Sequence, residues 1–127
     1  MNALQHPVDL HAFEHHWQDE ADAAYLYRLL ATLEPDAAKA DVFRRLADVE
    51  DRHVTIWADL ITKHGGRVGP FHPTLRTRLL AFLGRRFGPG FLLPMLLAPA
   101  VLGRFIPITV SSRTVIKIGF LMVVVGN

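Results

Sequence analysis

Glu50 and His53 stand three apart in ADVEDRHVTIW, residues 47–57. That spacing sets a carboxylate and an imidazole on one face of a helix. A second carboxylate, Glu20, lies upstream in HWQDEADAAYLYRLL. Two carboxylates and an imidazole make a hard, mixed oxygen and nitrogen donor set, suited to iron or manganese. The chain contains no cysteine, which excludes disulfides, zinc-thiolate sites and thiol chemistry; any metal must be held by His, Asp or Glu. On an arbitrary helix a Glu-x-x-His pair is most often a solvated surface feature. Its meaning therefore rests on whether these positions lie on an apolar seam.

Two helical stripes answer that question. From about Asp9 to Leu33, the residues Phe13, Trp17, Ala24, Tyr27 and Ala31 recur in steps compatible with one helical face, and the vacant step falls on Glu20. A stripe rotated by one position would use Ala21 and leave Glu20 at the surface. From about Ala37 to His64 the stripe is Phe43, Leu46, Glu50, His53, Trp57, Leu60 and His64. Asp9 and Asp36 are candidate N-caps, Pro35 interrupts the first helix, and Gly65 is the expected residue just past the end of the second.

A connection this short favours an antiparallel hairpin. At 1.5 Å per residue, Glu20 and Glu50 both lie roughly 21–23 Å from the turn and so face each other at one level. Carboxylates on such a seam must shift their protonation, find a partner or bind a metal.

HWQDEADAAYLYRLLA, FRRLADVEDRHVTIWADLI and the downstream FGPGFLLPMLL together resemble the N-terminal ferritin-like, rubrerythrin-type domain of membrane-bound ferritins of the vacuolar iron transporter family. The resemblance covers roughly residues 10–97. It implies an iron-binding di-iron carboxylate protein that oxidises Fe(II) and serves iron storage, detoxification or transport. Glu20 would be the first-helix ligand, Glu50 the bridging ligand and His53 the imidazole ligand. Tyr27, one heptad after Glu20, would be an outer hydrogen-bond donor or electron relay, or simply a core tyrosine. His16, one turn before Glu20, is either an outer group of the same site or an exposed helix residue.

The departure from that family is large. Its domains carry a second helical pair with another Glu and another Glu-x-x-His, whereas this chain has no acidic residue after Asp59. Two chains pairing about a two-fold axis would supply four carboxylates and two imidazoles. Such a homodimer would resemble encapsulated ferritins, in which two-helix protomers build the iron site at their interface. The alternative is a membrane-associated helical interaction module, or a truncated remnant, without metal activity. Membrane-surface quinone hydroxylases offer a third comparison by ligand type, and they too would need the missing half.

Charge divides the chain sharply. Residues 1–59 hold all 12 acids and carry a net charge of −7, while residues 60–127 carry +9. Residues 67–73, RVGPFHP, read as a linker, and TLRTRLLAFLGRRF follows as a basic amphipathic helix with Thr74 as its cap and Leu75, Leu79, Phe82 and Leu83 as its apolar members. Such a helix either lies on an anionic membrane surface or packs on the hairpin. Residues 98–127 form a hydrophobic tail whose apolar runs are short and interrupted by Arg104, Pro107 and Arg113, which disfavours a single clean membrane-spanning helix. No cleavable signal peptide, phosphate-binding glycine loop, nucleophile–base pair or nucleic-acid-reading motif is evident. The expected protein is all-α: a ferritin-like hairpin over 1–66, a linker and basic amphipathic segment over 67–97, and the tail. Its expected location is membrane-associated with the ferritin-like part on the cytoplasmic side, or cytoplasmic if the tail does not enter a bilayer.

Overall fold

The computed structural model describes residues 7–96, and all regular structure among them is helical. The expected tail over 98–127 lies outside the described residues. Helix α1 spans Leu10–Leu33, α2 spans Ala37–Lys63 and α3 spans Leu75–Phe87. Residues 89–96 are helical as well.

Each long helix begins where its sequence supplies a side-chain acceptor for the first free amides. Asp9 accepts from the Ala12 amide at 3.1 Å, Asp36 from Lys39 at 3.0 Å, and Thr74 from Thr77 at 3.3 Å. Helix α1 stops because Pro35 forces the preceding residue out of the helical region, and Glu34 is extended at φ −76°, ψ 118°. Helix α2 ends at His64, followed by Gly65 at φ +86°, a left-handed conformation that glycine adopts without steric cost.

The turn at residues 34–36 folds α2 back along α1, and cross-helix contacts fix the antiparallel direction. Phe13 meets Trp57 at 5.5 Å between ring centroids, and Arg28 pairs with Asp51 and, at 3.8 Å, with Asp48. The hydrogen bond to Asp51 also holds the Arg28 guanidinium above its ordinary pKa. That pair is half exposed, so its contribution is small, about 0–1 kcal/mol.

Apolar burial holds the hairpin together. Leu26, Tyr27, Leu30, Ala31, Phe43, Leu46 and Ala47 form a cluster that also takes in Leu80 and Ala81 of α3 and Leu92 beyond it. Leu30 and Leu92 are fully enclosed, and each such side chain contributes about 1.5–3 kcal/mol relative to exposure.

The third helix docks on α1 through small residues. Thr77, Leu80, Ala81 and Gly84 are its buried members, whereas Leu75, Leu79 and Phe82 point outward. At Gly84 the approach is tight enough that a Cβ would meet Leu92 Cδ2 at 2.8 Å. Gly88, at φ +90°, then turns the chain between α3 and the helical residues 89–96.

A buried carboxylate clamps the start of α3. Asp22 accepts from the Thr74 hydroxyl at 2.9 Å, the Thr74 amide at 3.3 Å and the Gln18 amide side chain at 3.1 Å. Gln18 also donates to the His72 carbonyl at 3.0 Å. Replacing Asp22→Ala removes three part-buried hydrogen bonds and should lower stability by about 1–3 kcal/mol in urea denaturation, whereas Arg28→Ala should cost less than about 1 kcal/mol. Equal effects of the two would mean that the clamp is not what holds α3 in place.

Candidate metal centre

Glu20 stands thirteen residues before Leu33, the last residue of α1, and Glu50 thirteen after Ala37, the first of α2. The symmetric distance from the turn brings the two carboxylates to one level across the seam. Neither the apolar stripe nor the hairpin alone would do this. The stripe aims both groups inward, and the three-residue turn sets their relative height.

Glu20, Glu50 and His53 each offer a ligand atom, and these atoms all lie within 4.8 Å of one another. Among the described residues this is the one cluster of three or more His, Asp or Glu side chains so arranged. Glu20 is 6% exposed and Glu50 1%, while the His53 side chain, at 33%, leaves the cluster open on one side. Ala21 is buried alongside Glu20, so burial does not choose between these two neighbours. The cross-seam position of the Glu20 carboxylate does.

The imidazole supplies the most specific feature. His53 Nδ1 lies 3.5 Å from Glu50 Oε2 and 3.6 Å from Glu20 Oε2. Those separations are longer than the usual N–H···O range of about 2.7–3.2 Å, and Nδ1 is buried with no hydrogen-bond partner. They do match the spacing of neighbouring ligands around one ion, since bonds of about 2.0–2.2 Å place adjacent donors roughly 3.0–3.6 Å apart. The cluster could therefore hold a metal ion through Nδ1 and one oxygen from each carboxylate. Three protein donors would leave coordination positions open for water or a reacting molecule.

The surroundings are layered along the seam. Toward the turn, small residues sit beside the carboxylates: Ala24 is 2% exposed and Ala47 fully buried. At the other end Trp57, one turn beyond His53, stacks on the His16 ring at 4.6 Å and meets Phe13 at 5.5 Å. Phe13 in turn contacts His64 at 5.8 Å. An aromatic layer thus closes the end of the hairpin away from the turn.

The remaining predicted residues fall around this cluster rather than in it. His16 is exposed at its edge and packs flat against Trp57, so it belongs to the aromatic layer and not to the ligand group. Tyr27 is buried in the apolar cluster with Leu26, Leu30 and Phe43, two turns along α1 from Glu20. Asp22, absent from the sequence reading, is the functional-looking carboxylate that turns out to be structural. Its partner Thr74 lies 52 residues away, and only the N-cap character of Thr74 hinted at a hydrogen-bonding role.

A shallow groove of about 560 Å³ runs beside the hairpin, bounded by Ala24, Tyr25, Arg28, Asp51, Phe71 and Arg85. It contains none of the three candidate ligands.

Comparison with known proteins gives no match: no family model, curated protein or solved structure is similar to this chain. Function must therefore be argued from the site itself.

Replacing His53→Ala should weaken Mn(II) binding by more than about 100-fold in calorimetric titration, because loss of even an outer partner of a metal ligand costs 10–100-fold. His64→Ala, outside the cluster, should leave the titration unchanged. Equal weakening by both would place the metal elsewhere.

Proposed function

We propose that this chain is an iron-binding di-iron carboxylate protein of ferritin-like character, with its metal site completed by a second copy. The observation that carries this reading is the buried Glu20, Glu50 and His53 cluster, with an Nδ1 atom that faces two carboxylate oxygens at ligand spacing and has no hydrogen bond. Two carboxylates buried side by side repel one another when both are ionised. A divalent cation held between them would offset that repulsion directly.

Iron fits the donor set, and manganese is the nearest competitor: both accept carboxylate oxygen and imidazole nitrogen with positions left open. One hairpin supplies two carboxylates and one imidazole. A two-fold pairing doubles this to the four carboxylates and two imidazoles of a di-iron bundle, and residues 60–127 hold no acid. Pairing would also cover the open side at His53.

With iron as substrate, the paired site would act as a ferroxidase. Two Fe(II) ions each give one electron to dioxygen, which takes up two protons and leaves as hydrogen peroxide. The carboxylates stabilise the resulting Fe(III), and the apolar and aromatic layers on either side limit access of water along the seam. Storage, detoxification or hand-over of iron would follow from where the Fe(III) goes next.

The deciding experiment loads anaerobically purified protein with Fe(II) and measures bound iron per chain together with molecular mass by light scattering in detergent. The expected result is about one iron per chain in a dimer, lost in Glu50→Ala, with the variant still helical by circular dichroism. A wild-type protein that associates but takes up no iron would overturn the metal reading, leaving the polar seam as a device for helix pairing.

A further inference from the structure

The outward face of α3 has no partner within residues 7–96. Leu75 is 83% exposed, Leu79 57% and Phe82 63%. With about 100° per residue, these three cluster on the side of the helix opposite the docked face of Thr77, Leu80, Ala81 and Gly84. Past the helix end Phe87 and Phe91 are exposed as well, 60% and 39%, with their rings 5.3 Å apart. Isolated exposed apolar residues are ordinary, but a contiguous group on one rigid face signals an interaction surface.

Charge narrows the choice of partner. Arg76, Arg78, Arg85 and Arg86 are all exposed on this short helix. By helical position Arg78 and Arg85 line one flank of the apolar face, Arg76 lies on the other, and Arg86 stands at its C-terminal end. A lipid bilayer with anionic headgroups satisfies both features together, taking the leucines and phenylalanines at the acyl boundary and the guanidinium groups at the phosphates. A second copy of α3 placed face to face would set arginine against arginine. The chain's own residues 97–127 carry three basic residues and no acid, so they too lack the complementary charge.

We propose that α3 is a membrane-docking helix that lies in the surface of an anionic bilayer, with Leu75, Leu79 and Phe82 buried in it and Arg76, Arg78 and Arg86 on lipid phosphates. The hydrogen bonds from Thr74 to Asp22, and from Arg85 to the Tyr25 hydroxyl at 3.3 Å, hold the helix so that this face points away from the hairpin. The surface is separate from the metal cluster and independent of the iron reading. No described helix is long and apolar enough to cross a membrane, so binding by α3 is interfacial.

The test is sedimentation of the full chain with vesicles of phosphatidylcholine alone and of phosphatidylcholine with phosphatidylglycerol. Expected are binding at least tenfold stronger to the anionic vesicles, a fall of at least tenfold in Leu79→Glu/Phe82→Glu, and a smaller fall in Arg78→Gln/Arg86→Gln that matches the effect of added salt. These positions are exposed, and unchanged circular dichroism and urea denaturation verify folding. Absence of a preference for anionic vesicles overturns the proposal. So does binding that Leu79→Glu/Phe82→Glu leaves intact, which would move the lipid contact elsewhere in the chain. A dimer in solution that Phe82→Glu converts to a monomer overturns it too, by assigning this face to contact between copies.

Discussion

Two carboxylates buried at one level between two helices are the constraint around which this hairpin is built. Glu20 and Glu50 would be hydrated in an unfolded chain, and folding removes nearly all of that water. The apolar cluster lies on the turn side of the carboxylates, where Leu26, Leu30, Phe43 and Leu46 pack. The opposite end is closed by an aromatic layer of Trp57, Phe13 and His16. His53 stands between the two.

The third helix reflects a different balance. Its buried face is made by Thr77, Ala81 and Gly84 as much as by Leu80, and at Gly84 the close neighbour is Leu92. Larger apolar residues on that face would hold the helices apart. Placing Leu75, Leu79 and Phe82 on the outer face keeps the docking tight and leaves a hydrophobic, basic surface facing outward. Asp22 couples the two regions: it belongs to the same helix as Glu20, two residues on, yet it serves the cap of α3 through Thr74. One stretch of α1 thus positions the candidate metal cluster on one side and the basic helix on another.

Much of this was legible in the chain. The helix boundaries follow from Asp9, Pro35, Asp36, Gly65 and Thr74, because capping and turn chemistry act over a few residues. The seam positions of Glu50 and His53 follow from helical periodicity, and the common height of Glu20 and Glu50 from their symmetric distance to the turn. These are local or arithmetic properties, so sequence alone determines them.

Tertiary structure decided what depends on contact between distant segments. The sequence placed Glu20 on the seam with Ala21 as the alternative of a rotated stripe, and only the meeting of α1 with α2 sets the Glu20 carboxylate against His53. Periodicity made Leu75, Leu79 and Phe82 an apolar face of α3 without saying which way it points, because an amphipathic pattern specifies a face and not its partner. The bond from Asp22 to Thr74 spans 52 residues, and no spacing rule reaches that far. Spacing determined which chemical groups share a helix face, whereas the packing of three helices determined which of them are buried together and which remain outside.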